Sequence, residues 1–191
     1  SILVLSGIPS SKPVDNISIA INQLDDIDKI PKGTNVELKI DTGMHRNGIK
    51  IKELDRALEI IIKTGLILKG AFTHFANIFE GQDSIYIQKD RFDKIKNKLI
   101  NKGFDKIRFH CCASPSLFCI DNNSYDLVRT GMALYGYVEL PENITSPDLK
   151  PVLSLWAEKV STRKVEKSDR IGYGGIFTAS QDMEVTTYDV G

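Results

Sequence analysis

Short apolar runs alternate with helical periods along the first two-thirds of this sequence, and that rhythm constrains the fold most strongly. Residues 2–5 read as a buried strand ending in Ser6-Gly7. Ile17–Ile21 reads as a second strand, followed by a short helix around residues 25–30. Residues 36–40 form a third, ending in Asp41-Thr42-Gly43. Leu54, Ala57, Leu58, Ile61 and Ile62 then recur at helical spacing, with Gly65 where the helix stops. Residues 66–72 are the next strand. Asp83 can cap a helix whose stripe is Ile87, Phe92, Ile95 and Leu99, closed by Gly103. Residues 106–109 and 126–128 read as two further short strands.

Strand then helix, repeated at this pace, indicates parallel βα units. An open doubly wound sheet and a (β/α)8 barrel of the TIM type share that signal. No Gly-rich nucleotide fingerprint follows the first strand, and polar groups stand at the end of strand after strand, which favours a barrel. About six βα steps are present, so the barrel is expected to be partial, without roughly its first two units. After Gly136 the character changes. Pro141, Pro147 and Pro151 mark a linker over residues 141–151. From Val152 onward the chain reads as the beginning of an all-β C-terminal domain over residues 152–191. It opens with one long alternating strand over 152–165, turns at Ser168-Asp169 and continues with a strand over 185–188. Residues 1–140 are then the partial barrel. The first residue is not Met, and both ends read as cut.

Composition narrows the function. With Lys+Arg and Asp+Glu at 25 each, and no basic block, no nucleic-acid or membrane surface is expected. No apolar run reaches the ~20 residues needed to span a bilayer, and no signal peptide is read at the start. Three cysteines, Cys111, Cys112 and Cys119, make no disulfide framework, and free thiols fit a cytoplasmic location. No CxxC or paired-histidine spacing calls for a metal.

Each strand end carries a group that can do chemistry. Lys39 alternates with apolar residues on a strand covered on both faces, so its amine needs a partner or a lowered pKa; a carboxylate such as Asp41, or a residue of a neighbouring strand, is the favoured partner. His74, in Thr73-His74-Phe75-Ala76, can stack on an aromatic cofactor or serve as a hydrogen-bonded core histidine. His110 is open to the same two readings. Ser114 stands before Pro115 and a short helix, where it can bind phosphate or simply cap. Arg129, followed by Gly131, suits phosphate or ring-nitrogen recognition, or an ion pair. Tyr173, between Gly172 and Gly174, is either a functional hydroxyl on an exposed loop or a packing tyrosine.

Taken in order, these blocks resemble bacterial alanine racemase, a fold-type III enzyme that uses pyridoxal 5'-phosphate (PLP). The resemblance rests on Ile2-Leu3-Val4-Leu5, Leu38-Lys39-Ile40-Asp41-Thr42-Gly43-Met44 with Arg46 and Gly48, Thr73-His74-Phe75-Ala76, the stretch from His110 to Ser114, Arg129-Thr130-Gly131-Met132-Ala133-Leu134-Tyr135-Gly136, and Gly172-Tyr173-Gly174 with Phe177-Thr178-Ala179. It spans almost the whole chain.

The resemblance implies interconversion of L- and D-alanine by two-base proton transfer at Cα, supplying D-alanine for peptidoglycan, in a cytoplasmic homodimer. Arg129 would face the PLP pyridine nitrogen, which an arginine cannot protonate. Ser114, Gly131 and Met132 would hold the phosphate, the last two through backbone amides. His74 would lie against the ring and Leu5 would make an apolar contact. Arg46 would bond the phenolic oxygen beside the substrate, and Lys39 matches a lysine that is often carbamylated. Tyr173 matches the catalytic tyrosine, contributed by the partner subunit. The family's Schiff-base lysine belongs to the first βα unit. No lysine here stands in its Lys-Ala-x-Ala-Tyr-Gly context, so the 191 residues alone are expected to be inactive. The family's late phosphate-binding tyrosine is also absent, and Ala113 stands where asparagine is common. A non-catalytic PLP barrel would stop before the β domain. A PLP decarboxylase would want an acid at Arg129. A racemase of broader amino-acid range stays open.

Overall fold

The computed structural model describes residues 2–78, 84–121 and 124–190. The cap expected at Asp83 lies outside them. The chain divides into two compact units, Ser1–Pro151 and Val152–Gly191.

The first unit is built on a parallel sheet of β1 (Ile2–Val4), β2 (Ile17–Ile21), β3 (Asn35–Asp41), β4 (Ile49–Lys50), β5 (Ile67–Phe72) and β6 (Arg108–His110). The order across the sheet is β1-β2-β3-β5-β6, and the two-residue β4 pairs with the end of β3. Strand order therefore follows chain order without reversal. A doubly wound sheet reverses at its switch point, and a barrel does not. This is the half-barrel expected from the rhythm of the sequence.

Two helices cover one face of the sheet. In α1 (Leu54–Thr64), Leu54, Ala57, Leu58 and Ile61 are buried, and Gly65 ends the helix in the left-handed conformation, its amide bonded to Ile61 and Ile62. In α2 (Ile85–Asn101) the buried face is Ile85, Gln88, Phe92, Ile95 and Leu99. Ile87 was expected in that stripe but is exposed. At 100° per residue, Ile85 and Gln88 share the face of Phe92 and Ile87 does not. These helices meet Val36, Leu38, Ile40, Ala71 and Phe109 in one core. Each fully buried Ile, Leu or Phe there stabilises the fold by ~1.5–3 kcal/mol.

Three expected strands differ. β1 is an edge strand paired only to β2, so Ile2 and Leu5 are exposed rather than buried. Residues 126–128 form no strand. Asp126 instead exchanges hydrogen bonds with Phe109 through its amide and carboxylate, and a single parallel bridge joins Ala113 to Arg129. The long strand over 152–165 is shortened to β7 (Lys159–Val165), because its partner β10 (Met183–Tyr188) reaches only that far. Between them β8 (Arg170–Ile171) pairs antiparallel with β9 (Phe177–Thr178). The turn at Ser168-Asp169 is present, with Ser168 at φ 78° and the Asp169 carboxylate accepting from the Glu166 amide.

Candidate active site

The second face of the half-barrel sheet carries the polar groups. Register sets them in rows: Glu37 beside Gly70 beside Arg108, then Lys39 beside Phe72 beside His110. Because side chains alternate along a strand, Glu37, Lys39, Phe72 and His110 share this face while Val36, Leu38 and Ala71 face the helices.

Past the strand ends lies a cavity of about 510 Å³, lined by His74, Ser114, Arg129, Gly131 and Met132 with Phe75, Ala76, Asn77, Ile78, Ala113, Pro115, Ser116 and Glu139. Five of the residues picked out from sequence therefore meet around one space. Leu5 does not line it; its carbonyl accepts from Asn22. Arg46 is exposed, yet its charge reaches both Lys39 and His74. Tyr173 belongs to the second unit, fully exposed in the turn Tyr173–Gly175.

Arg129 donates to His110 Nδ1 at 2.5 Å, to the Thr73 carbonyl at 2.7 Å and to the Cys111 carbonyl at 3.4 Å. A guanidinium has five N–H groups, so donors remain for the cavity once these three bonds are made. Burial pulls its pKa down, while Cys111, Cys112 and Glu37 oppose that shift. The buried Ser114 hydroxyl accepts from the Gly131 amide at 2.9 Å and the Ala133 amide at 3.2 Å. Its own hydrogen has no acceptor in the hydrogen bonds of the described residues, and so is available to an anion. The turn Met132–Tyr135 follows at once. Ser116, not Ser114, closes the local turn: its hydroxyl accepts from the Ala113 amide at 2.7 Å.

Lys39 is buried, but the carboxylate partner expected for it at Asp41 is not what it finds. Its amine donates to Asn47 Oδ1. Asp41 is taken by the Gly43 and His45 amides and the His45 ring. Although burial would raise Asp41, those bonds hold its carboxyl below the usual range. Burial first, then Arg46 and Arg129, lower Lys39. Burial with the charges of Arg129, Lys39 and Arg46 pushes His74 down to about 4, so its imidazole is neutral. Three cations thus act on His74; Asp41 and Glu37 are already engaged, and Glu139 is the carboxylate in the cavity lining.

Sequence reading missed Glu37 and Asn47. Glu37 was legible in principle, since period-two alternation puts it on the face of Lys39. Asn47 lies beyond the strand in an irregular loop, where no periodicity predicts a contact.

The family model described as "Alanine racemase, N-terminal domain" matches residues 1–139. The chain belongs to the alanine racemase family. Curated alanine racemases from a Nitratiruptor species and from Campylobacter jejuni subsp. jejuni are 42% and 40% identical to it over 100% of its length. The chain spans 57% and 56% of those two relatives' lengths. Among solved structures, alanine racemase from Streptomyces coelicolor A3(2) aligns with TM-score 0.71 and 26% identity, over 88% of this chain and 48% of that one. Alanine racemase from Bacillus anthracis with bound L-Ala-P aligns in fold with TM-score 0.73 and 24% identity, over 99% of this chain and 53% of that one. The half-barrel is thus the alanine racemase fold.

Proposed function

We propose that the protein to which this chain belongs is a PLP-dependent racemase of alanine, working in the cytoplasm as a homodimer and supplying D-alanine for peptidoglycan. The observation that carries this reading is that Arg129, the Ser114 hydroxyl and the His74 imidazole line one cavity, with the charges of Lys39 and Arg46 also reaching His74. A phosphorylated, anionic aromatic cofactor matches those cations, the free Ser114 hydroxyl hydrogen and the neutral His74 imidazole.

PLP, when bound, supplies a conjugated ring that draws electrons from the substrate's Cα. Arg129 would donate to its pyridine nitrogen and hold that nitrogen unprotonated, since a guanidinium gives up no proton near neutral pH. The Ser114 hydroxyl hydrogen and the Met132 amide would hold the phosphate, and the Gly131 amide, bonded to the Ser114 hydroxyl oxygen, would orient that hydroxyl. His74 would lie against the ring as a neutral imidazole. Arg46 would bond the phenolic oxygen and orient the substrate, steadied by Lys39 if that amine is converted to its carbamate. Tyr173 of the partner subunit would carry the proton for one enantiomer. The second base and the covalent anchor would be the family's lysine, and no lysine of this chain stands in its Lys-Ala-x-Ala-Tyr-Gly context.

Tyr173→Phe in the whole protein tests this reading. Because L- and D-alanine are equal in free energy, kcat/KM for racemisation should fall equally in both directions, by ~10²-fold or more for loss of a general base, while exchange of the Cα hydrogen with solvent deuterium should fall by that factor from one enantiomer and persist from the other. Equal loss of exchange from both enantiomers would remove Tyr173 from its role.

A further inference from the structure

Glu37 is a carboxylate buried in the half-barrel wall, two strands away from the polar groups it serves. From β3 it passes over β5 to β6, where Oε1 pairs with Arg108 and Oε2 lies 2.7 Å from His110 Nε2. It can cross because residue 70 is glycine. A Cβ there would sit 2.6 Å from Glu37 Oε2 and 2.8 Å from its carboxyl carbon, closer than a carbon can come, so the carboxylate would have to move. The lane and the carboxylate are therefore one device.

His110 is the link to the cavity. Arg129 has only donors, so the 2.5 Å contact between its Nη1 and His110 Nδ1 requires a lone pair on Nδ1. An imidazolium, or the neutral Nδ1–H form, would set two donors against each other. Of the three states of the ring, the Nε2–H tautomer alone fits. An ionised carboxylate only accepts, so Glu37 at Nε2 selects that same state. Burial lowers His110 from its ordinary value, consistent with a neutral ring. Burial would raise Glu37, but His110 and Arg108 outweigh it and hold the carboxyl low; with His110 neutral, Arg108 is the balancing cation. Phe72 fixes the plane of the imidazole, stacked at 4.9 Å and 7°, and the Arg129 guanidinium carbon lies 5.0 Å from the same Phe72 ring.

We propose that Glu37 is a positioning residue for Arg129: reaching across Gly70, it fixes the Nε2–H tautomer of His110, whose Nδ1 lone pair holds one arm of the guanidinium at the cavity. The hydrogen-bond chain stands on geometry alone. Its consequence for cofactor binding rests on the reading that Arg129 meets the pyridine nitrogen of PLP.

The experiment uses the whole protein labelled with 15N-histidine, long-range 1H–15N correlation near neutral pH, and assignment of the His110 signals by their loss in His110→Gln. The expected pattern is a bare Nδ1 and a protonated Nε2. Glu37→Leu should release the tautomer, and so should Gly70→Ala, which closes the lane while removing no charge. PLP titration followed by fluorescence should show the dissociation constant raised about tenfold in both, the size typical of losing a partner that orients a ligand. An Nδ1–H or imidazolium ring in the unmodified protein overturns the proposal, and this result needs no variant to fold. So does a folded Glu37→Leu protein with unchanged tautomer, or a released tautomer with an unchanged dissociation constant, which a purely structural ion pair would give. An unmodified protein that binds no PLP would instead overturn the functional reading, with the spectrum still deciding the tautomer.

Discussion

His74 shows how a single side chain takes its properties from three others. Its ordinary value of 6.5 falls to about 4 because it is desolvated and faces Arg129, Lys39 and Arg46. The folded protein therefore binds fewer protons than the unfolded chain between those two pH values. Stability contributed by the neutral ring is complete above 6.5 and is lost as the pH falls toward 4. Because His74 is only partly shielded from solvent, the loss should be on the order of 1–2 kcal/mol rather than the full linkage value. Glu37 and Asp41 add losses only below their ordinary values of 4.5 and 3.8, so the interval from 6.5 to 4.5 belongs to the histidines. The urea midpoint should be lower at the acid end of that interval than near neutrality, and His74→Gln should flatten the difference. A midpoint independent of pH in the unmodified protein would contradict the burial and charge assigned to this ring.

Helix α2 shows what an element does for the site without touching it. Its buried face runs from Ile85 to Leu99, while its polar side chains reach the strand ends. Arg91 donates to the Thr42 carbonyl at 2.7 Å and Gln88 accepts from the Ala76 amide at 3.0 Å. Thr42 and Thr73 are in turn joined hydroxyl to hydroxyl at 2.7 Å. The loops after β3 and β5 are thus tied to one helix. Phe92→Ala, at a fully buried position, should cost about 3–5 kcal/mol, read as a lower urea midpoint. Ile87→Ala, on the exposed side of the same helix, should change it by less than about 0.5 kcal/mol. Comparable losses at the two positions would mean that the helix face has been misassigned.

For the molecule as a whole, two compact units are joined by a stretch with neither helix nor strand from Gly136 to Glu158. Val152, Leu153, Leu155 and Trp156 within it are exposed. Backbone without ladder or helix bonds opens at little cost, and it is where proteases cut first. We expect limited chymotrypsin digestion to cleave first after Leu153, Leu155 or Trp156, giving a product that retains the half-barrel. A first cut within β3 or α2 would argue against treating Ser1–Pro151 as an independent body. Among the described residues no helix is long and apolar enough to cross a membrane.

The alternation of apolar runs with helical periods was enough to specify a partial parallel barrel, because strand and helix periods are local and leave a direct trace in the residues. Motif order was enough to indicate the family. His74 was legible for the same reason, standing just past the end of β5; Ser114, Arg129, Gly131 and Met132 were legible from their motif blocks, since residues 126–128, read as the strand before Arg129, form none. Register and partners were not legible. That Lys39 meets Asn47 and not Asp41, that residues 126–128 run beside β6 without becoming a strand, and that Glu37 reaches His110 over Gly70 all depend on which strands lie side by side. Such pairings join residues up to 73 positions apart in the chain, and no local period carries them. The sequence by itself determined the fold class and the residues around the cavity; tertiary structure alone decided the ionic chain behind Arg129, because a buried charge is defined by neighbours that only folding brings together.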